Sequence, residues 1–278
     1  MTLILEGLPP QKVIKEDIKK RVAKLPKPPK LLIFSSDPKP ESLIYIEKKK
    51  EFGLEVGCKV EHVQLSSLMS VDECKKEIDV GNNDKDVNGI IFQLPFHSKI
   101  KTNDVLDMTS LVKDVDGLSS INLSFLYRGE EKVLPATARG VLEMLSYYDL
   151  VFKGKKVVVI GRSVLVGKSV AMSLLNRDAT VTVCHRKTEN LEGIVKSADF
   201  VISAAGSPGL VTSEMMHSNQ VIVDIGISKV EGKIKGDVDF SIASEKVKAV
   251  SPVPGGVGPL TVASLFLNLV DLTEKNLF

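Results

Sequence analysis

Tryptophan is absent, and aromatic residues make up only 5% of the chain. That leaves no stacking platform for single-stranded nucleic acid. Cysteine is scarce: Cys58, Cys74 and Cys184 are odd in number, far apart and free of any CxxC spacing. A disulfide framework and a cysteine zinc site are therefore not expected, and a reducing compartment, the cytoplasm, is. Charge of one sign is lacking as well. The formal balance is +2, from 37 basic and 35 acidic residues, which gives no electrostatic case for a nucleic-acid or membrane partner. No apolar run approaches the ~20 residues of a membrane span. The opening "MTLILEGLPPQKVIKEDIKK" turns polar too soon to read as a signal peptide.

What is present is an ordinary globular composition, 43% hydrophobic and 26% charged, over 278 residues. That is enough for one large or two ordinary domains. Short apolar runs alternate with helical patterns twice. "KLLIFSS", "KVEHVQL" and "NGIIFQLPF" read as strands, separated by a helix after Pro40 and by "VDECKKEI". "KDVDGLSSINLSFLYRGEEKVLPATARG" reads as a long polar loop region, and "GVLEMLSYYDL" as a linker helix. A second set opens at "KKVVVIG", where Val157–Ile160 suits a strand buried on both faces. "TVTVC", "DFVISAAG", "QVIVDIG" and "KAVSPV" supply further strands, and an apolar helix follows "PGGVGPL". Strands alternating with helices predict parallel βαβ units. The expected fold class is α/β, with two α/β domains around a cleft.

Within "YIEKKKEFG" three lysines stand in a row, and helix periodicity separates them. Lys48 finds Glu51 at i+3 and Lys50 finds Glu47 at i−3, while Lys49 shares its stripe with Tyr45 and Phe52 and meets no acid. On this local pattern alone, the favoured reading of Lys49 is an amphipathic lysine whose stem packs and whose head reaches water. Gln93 closes the run "GIIFQ", at the carboxyl end of a strand, where open parallel sheets bind ligands. "KDVDG" places Asp114 and Asp116 in a loop. They can accept a ligand's N–H groups or cap a turn, and no further carboxylates complete a metal site, so no metal is expected.

In "VVVIGRSVLVGKS", Gly161 ends a strand and Gly167 stands near a helix start, with Ser163 where a middle glycine would lie. Glycines here let backbone approach a pyrophosphate. The next strand ends in Arg186 with no acid at its tip, and Arg162 lies in the turn itself. Arginine accommodates a ribose 2′-phosphate where an acid would bind the 2′-hydroxyl, so the pattern favours NADP over NAD. "SPVPGGVGPLT" forms a bare loop suited to a planar ligand or to an interdomain hinge.

Taken together, "YIEKK", "GIIFQLP", "KDVDG", "GRSVLVGKS", "VCHRKT", "GDVDF" and "PVPGGVGPLT", in this order, resemble the tetrahydrofolate dehydrogenase/cyclohydrolase family. The resemblance implies a folate-binding catalytic domain, residues 1–140 plus 258–278, to which the C-terminal helix returns. It also implies a Rossmann-like NADP-binding domain, residues 141–257, and a homodimer acting on tetrahydrofolate derivatives. By matching motifs, Lys49 is the catalytic lysine, Gln93 orients it and Asp116 anchors the pterin. Tyr45, Leu94, Pro95, Pro254, Gly255, Gly256 and Val257 contact the folate. Gly161, Arg162, Ser163, Gly167, Arg186 and Ile227 contact the cofactor.

Three positions depart from the family pattern: Ala136 and Ala138 in "PATARG" replace cysteine and proline, and Ser169 replaces a proline. They bear on the balance of the two activities. A dehydrogenase without the hydrolytic step, or a dinucleotide sensor without catalysis, are the competing readings. Lys49, Gln93 and Asp116 together argue against the sensor.

Overall fold

The computed structural model describes residues 1–96 and 99–275, which form two compact units. The lysine unit comprises Val13–Ala136 and the chain from Val262 on; the glycine-turn unit comprises Met1–Lys12 and Thr137–Thr261. The chain begins with β1 (Leu3–Ile4), α1 (Leu8–Val22), β2 (Lys30–Ser36), α2 (Pro40–Glu55), β3 (Lys59–Leu65), α3 (Val71–Asn83) and β4 (Gly89–Phe92). It continues through α4 (Thr102–Leu106), α5 (Ser120–Tyr127), α6 (Ala136–Tyr147), β5 (Lys156–Ile160), α7 (Ser169–Leu175), β6 (Thr180–Cys184) and α8 (Leu191–Lys196). Then follow β7 (Phe200–Ser203), β8 (Val221–Asp224), β9 (Ser228–Val230), β10 (Lys233–Lys235), α9 (Phe240–Lys246), β11 (Ala249–Val250) and α10 (Val257–Lys275). The last three residues of the sequence-predicted C-terminal helix, 276–278, lie outside the described residues.

In the lysine unit a parallel sheet runs β3-β2-β4. Side chains alternate between faces, so Leu31, Ile33 and Ser35 of β2 share one face and Leu32 and Phe34 the other. Helix α2 packs on the first face: a Cβ at Gly53 would lie 2.3 Å from Val60, the register partner of Leu31. Helix α3 takes the other face, where a Cβ at Gly81 would lie 2.7 Å from Leu32. Phe52 of α2 also meets Phe266 of α10 at 5.2 Å between centroids. Helix α3 starts at a capping box in which Ser70 Oγ accepts from Glu73 N and Glu73 Oε2 accepts from Ser70 N.

The stretch read as one long loop holds a helix. Residues 120–127 form α5, because Ser119 Oγ accepts from Asn122 N and the buried Asp114 carboxylate takes amides of the preceding turn. The linker helix also starts earlier than expected, at Ala136. Ala136 and Ala138 are both buried in its first turn.

The glycine-turn unit carries a six-stranded parallel sheet in the order β1-β11-β8-β7-β5-β6. From β5 the chain steps outward to β6, then returns to place β7 on the opposite side. That reversal between β5 and β7 is the switch point of a doubly wound sheet. Residues 1–12, assigned by sequence to the folate domain, belong to this unit. Leu3 and Ile4 pair with Ala249 and Val250, which satisfies the outer edge of β11, and Leu5 is fully buried. At the other end the division falls inside α10, after Thr261, rather than before Gly258.

Candidate active site

Lys49 projects from α2 toward the end of β4. Its Nζ donates to Gln93 Oε1 at 3.0 Å, and Gln93 Nε2 donates to Leu94 O at 3.2 Å, which fixes the amide with its oxygen facing the lysine. Gln93 itself is held at the strand end by its N–H, which donates to Phe34 O at 2.8 Å. Leu94 is half-buried and Pro95 exposed beside it.

The neighbouring lysines differ from Lys49. Lys50 pairs with Glu47 at 2.7 Å, as helix spacing predicts. Lys48 does not pair with Glu51; its Nζ lies over the Tyr45 ring, 5.8 Å from the centroid. The cause is general to helices, whose side chains tilt toward the N-terminus, so both lysines reach back three residues rather than forward. Tyr45, expected on the Lys49 stripe, is therefore covered in part by Lys48 and stays 38% exposed.

The two aspartates of "KDVDG" have separate roles. Asp114 is buried and fully engaged: its carboxylate accepts from Gly117 N (2.9 Å), Leu118 N (3.4 Å), Ser119 N (2.9 Å) and Asn122 Nδ2 (2.7 Å). It shapes the turn. Asp116 keeps a carboxylate with no hydrogen-bond partner among the described residues. Burial chiefly, and the Asp114 charge next, raise its carboxyl to about 6, with Lys49 acting in the opposite sense. Lys49 is lowered from the ordinary lysine value, because burial outweighs the attraction of Asp116. Sequence reading missed the residues that hold this loop. Lys113 Nζ donates to Gly81 O and Asp84 O at the end of α3, and Asn268 Nδ2 of α10 donates to Val115 O and Leu134 O. Asn268 shows no local signal, since its partners are more than a hundred residues away.

In the glycine-turn unit, Gly161 has φ +120°, and a Cβ there would lie 2.3 Å from Ala204 O. A Cβ at Gly167 would lie 2.2 Å from Gly161 O. Both positions therefore need glycine for the turn to close against the helix start. Ser163 Oγ accepts from Val166 N, opening a single π-turn over Val164–Lys168 that leads into α7. Ser169, standing where the family has proline, donates from Oγ to Val164 O at 2.6 Å and so closes that turn. Strands β5 and β6 pair with Ile160 opposite Cys184, which puts Arg162 and Arg186 two residues beyond adjacent strand ends. Both are exposed, and neither forms an ion pair among the described residues. Such a turn, with two unpaired guanidinium groups at its rim, fits a phosphorylated dinucleotide. Ile227 is 55% exposed beyond β8. In the bare loop Pro254 and Gly255 are exposed and Gly256 and Val257 buried; Gly255 O accepts from Gly7 N at 2.8 Å.

A doubly wound sheet with an arginine-rimmed glycine turn, together with a buried helix lysine bonded to a glutamine at a strand end, defines a nucleotide-dependent α/β enzyme. Comparison with known proteins narrows the class. The model of the tetrahydrofolate dehydrogenase/cyclohydrolase catalytic domain matches residues 5–116, and that of the family's NAD(P)-binding domain matches residues 135–277. The chain is 41% identical to the bifunctional protein FolD 2 of Lactobacillus johnsonii, over 99% of each chain. A crystal structure of the bifunctional FolD enzyme from Campylobacter jejuni superposes with a TM-score of 0.97 at 37% identity, over 99% of this chain and 100% of that one. The FolD of Trypanosoma brucei, solved with NADP and an inhibitor, superposes with a TM-score of 0.93 at 31% identity, over 99% and 98%. The chain belongs to the tetrahydrofolate dehydrogenase/cyclohydrolase family.

Proposed function

We propose that this chain oxidises 5,10-methylenetetrahydrofolate to 5,10-methenyltetrahydrofolate with NADP+ and hydrolyses that product to 10-formyltetrahydrofolate, in one-carbon folate metabolism. The observation that carries the reading is the cluster of Lys49, Gln93 and Asp116 in one unit. Folate is assigned to the lysine unit, and NADP to the glycine-turn unit, held by Gly161, Arg162, Ser163, Gly167, Arg186 and Ile227.

Bound there, NADP+ supplies the acceptor for the hydride that leaves the methylene carbon, and the folate becomes a methenyl cation. Lys49 then serves the hydrolysis. A neutral amine has two N–H bonds and one lone pair; Gln93 takes one N–H, and the lone pair remains for a proton. Burial lowers the lysine's proton affinity, and the substrate cation lowers it further. The oxygen of water bonds to the methenyl carbon as Lys49 takes one of its protons. The bond from that carbon to N5 breaks, N5 gains the remaining hydroxyl proton, and the formyl group stays on N10. Asp116, whose carboxylate has no hydrogen-bond donor among the described residues, accepts N–H groups of the pterin, and Tyr45 packs on it, with Leu94 and Pro95 alongside.

Following NADPH formation and methenyl hydrolysis separately tests the assignment. Lys49→Met and Lys49→Arg are expected to abolish hydrolysis, arginine because it stays charged, whereas Lys48→Met leaves it near the original rate. Equal losses in the two methionine variants would remove Lys49 from its role. The protein is further proposed to act as a homodimer joined at β6, the sheet edge, where Val183 is 41% exposed. Its proposed location is the cytoplasm, and no nucleic-acid or membrane partner is assigned.

A further inference from the structure

Residues 204–207, just beyond β7, lie against both stretches assigned to the cofactor. On one side Ala204 N donates to Ile160 O at 2.7 Å, and Ala204 O is the atom that a side chain at Gly161 would strike. On the other side Ser228 Oγ donates to Gly206 O at 3.0 Å, next to Ile227. Ile225 N and Gly226 N also donate to Ser203 O. The next three amides, of residues 205–207, all turn to one carboxylate. Ala205 N and Gly206 N donate to Asp237 Oδ2 at 2.8 and 3.3 Å, and Ser207 N donates to Oδ1 at 2.6 Å. Ser203 Oγ adds a fourth bond, to Oδ2 at 2.8 Å. Asp237 is fully buried, and Gly226 approaches so closely that a Cβ there would lie 2.2 Å from the carboxylate.

A carboxylate accepting three amides and a hydroxyl is a strong, charge-assisted anchor, and no step of the reaction uses it. We propose that Asp237 is a positioning residue of the cofactor site, holding residues 204–207 in the shape that receives the dinucleotide. Because it draws the amides inward, the exposed Ala205 and Gly206 present a small, nearly bare surface. That surface suits a neutral ring of the dinucleotide, since no N–H of the segment is left to meet a phosphate. The inference rests on the placement of NADP at the Gly161 turn.

Asp237→Asn keeps the size of the side chain but gives up one acceptor oxygen. In the protein without cofactor, amides 205–207 are expected to exchange with solvent faster. Calorimetric NADP+ binding should weaken about tenfold, the equivalent of one orphaned buried donor. Hydrolysis of methenyl substrate consumes water and no nicotinamide, so it should stay within about twofold, the range expected of independent effects. Ser203→Ala removes one donor and leaves the carboxylate; a smaller weakening of the same kind is expected, and this variant decides the matter if Asp237→Asn does not fold. An unchanged NADP+ affinity overturns the proposal. So does a loss of hydrolysis in step with cofactor binding, which would mark Asp237 as structural only. Arg186→Ala, measured alongside, reads the site placement separately: an unaltered NADP+ to NAD+ preference there counts against the ribose assignment, not against Asp237.

Discussion

Burial disfavours the charged form of both Lys49 and Asp116, and the two residues therefore detract from stability where they serve the chemistry. The folded-state value of Asp116, about 6, lies above the 3.8 of a free aspartate, so the native state keeps its proton longer than the unfolded chain. The stability tied to this group is full below about pH 4 and is lost as pH rises through about 6. Asp116→Asn is accordingly expected to gain on the order of 1–3 kcal/mol at pH 7.5 and nothing near pH 4. Urea unfolding at both pH values would show it, and an equal gain at the two would overturn the account. At this scale the sequence was legible where a pattern is local. The absence of an acid at helical spacing singled out Lys49, and Lys50–Glu47 followed from the same spacing. Lys48 was misassigned because spacing is symmetric whereas side-chain direction is not. Asp237 was visible only as a letter in "GDVDF", since its partners lie some thirty residues earlier in the chain.

Among the elements, the strands read from β-branched runs were placed well, because a buried parallel strand leaves a continuous apolar signature. Helix α5 was missed for the opposite reason. "SINLSFLY" has no clean apolar stripe, and its start depends on Asp114 from outside the helix. The β9–β10 hairpin, "SKVEGKIK", gave no strand signal, since each strand is three residues long and carries a single apolar residue. Helices α1 and α10 are joined by Arg21, which bonds to Asp271 at 2.5 Å and Glu274 at 2.7 Å, with Asp17 at 3.5 Å. These bonds, with burial working against them, hold Arg21 above its ordinary range. As a converging group of partly buried pairs, they should contribute more than an isolated surface bridge. Arg21→Ala is expected to cost about 1–2 kcal/mol in urea unfolding. Faster amide exchange confined at first to the last turns of α10 would be the local sign.

For the whole molecule, the proposed placement of cofactor and proton chemistry in units with separate sheets makes the hydrolytic assay a control for nucleotide-site variants. On the proposal of a homodimer joined at the edge strand β6, Val183→Lys should halve the particle mass by light scattering while leaving each unit folded. An unchanged mass would overturn that proposal. The two-domain plan was legible in the order of strands and helices, but the boundary at the start was not, because β1 is two residues long and its partner lies near the other end of the chain. That pairing also bears on biosynthesis. A ribosome releases the chain from its first residue, so Leu3 and Ile4 emerge early and must wait until Ala249 and Val250 have been made. At roughly 5–20 residues per second, the outermost strand stays unpaired for tens of seconds.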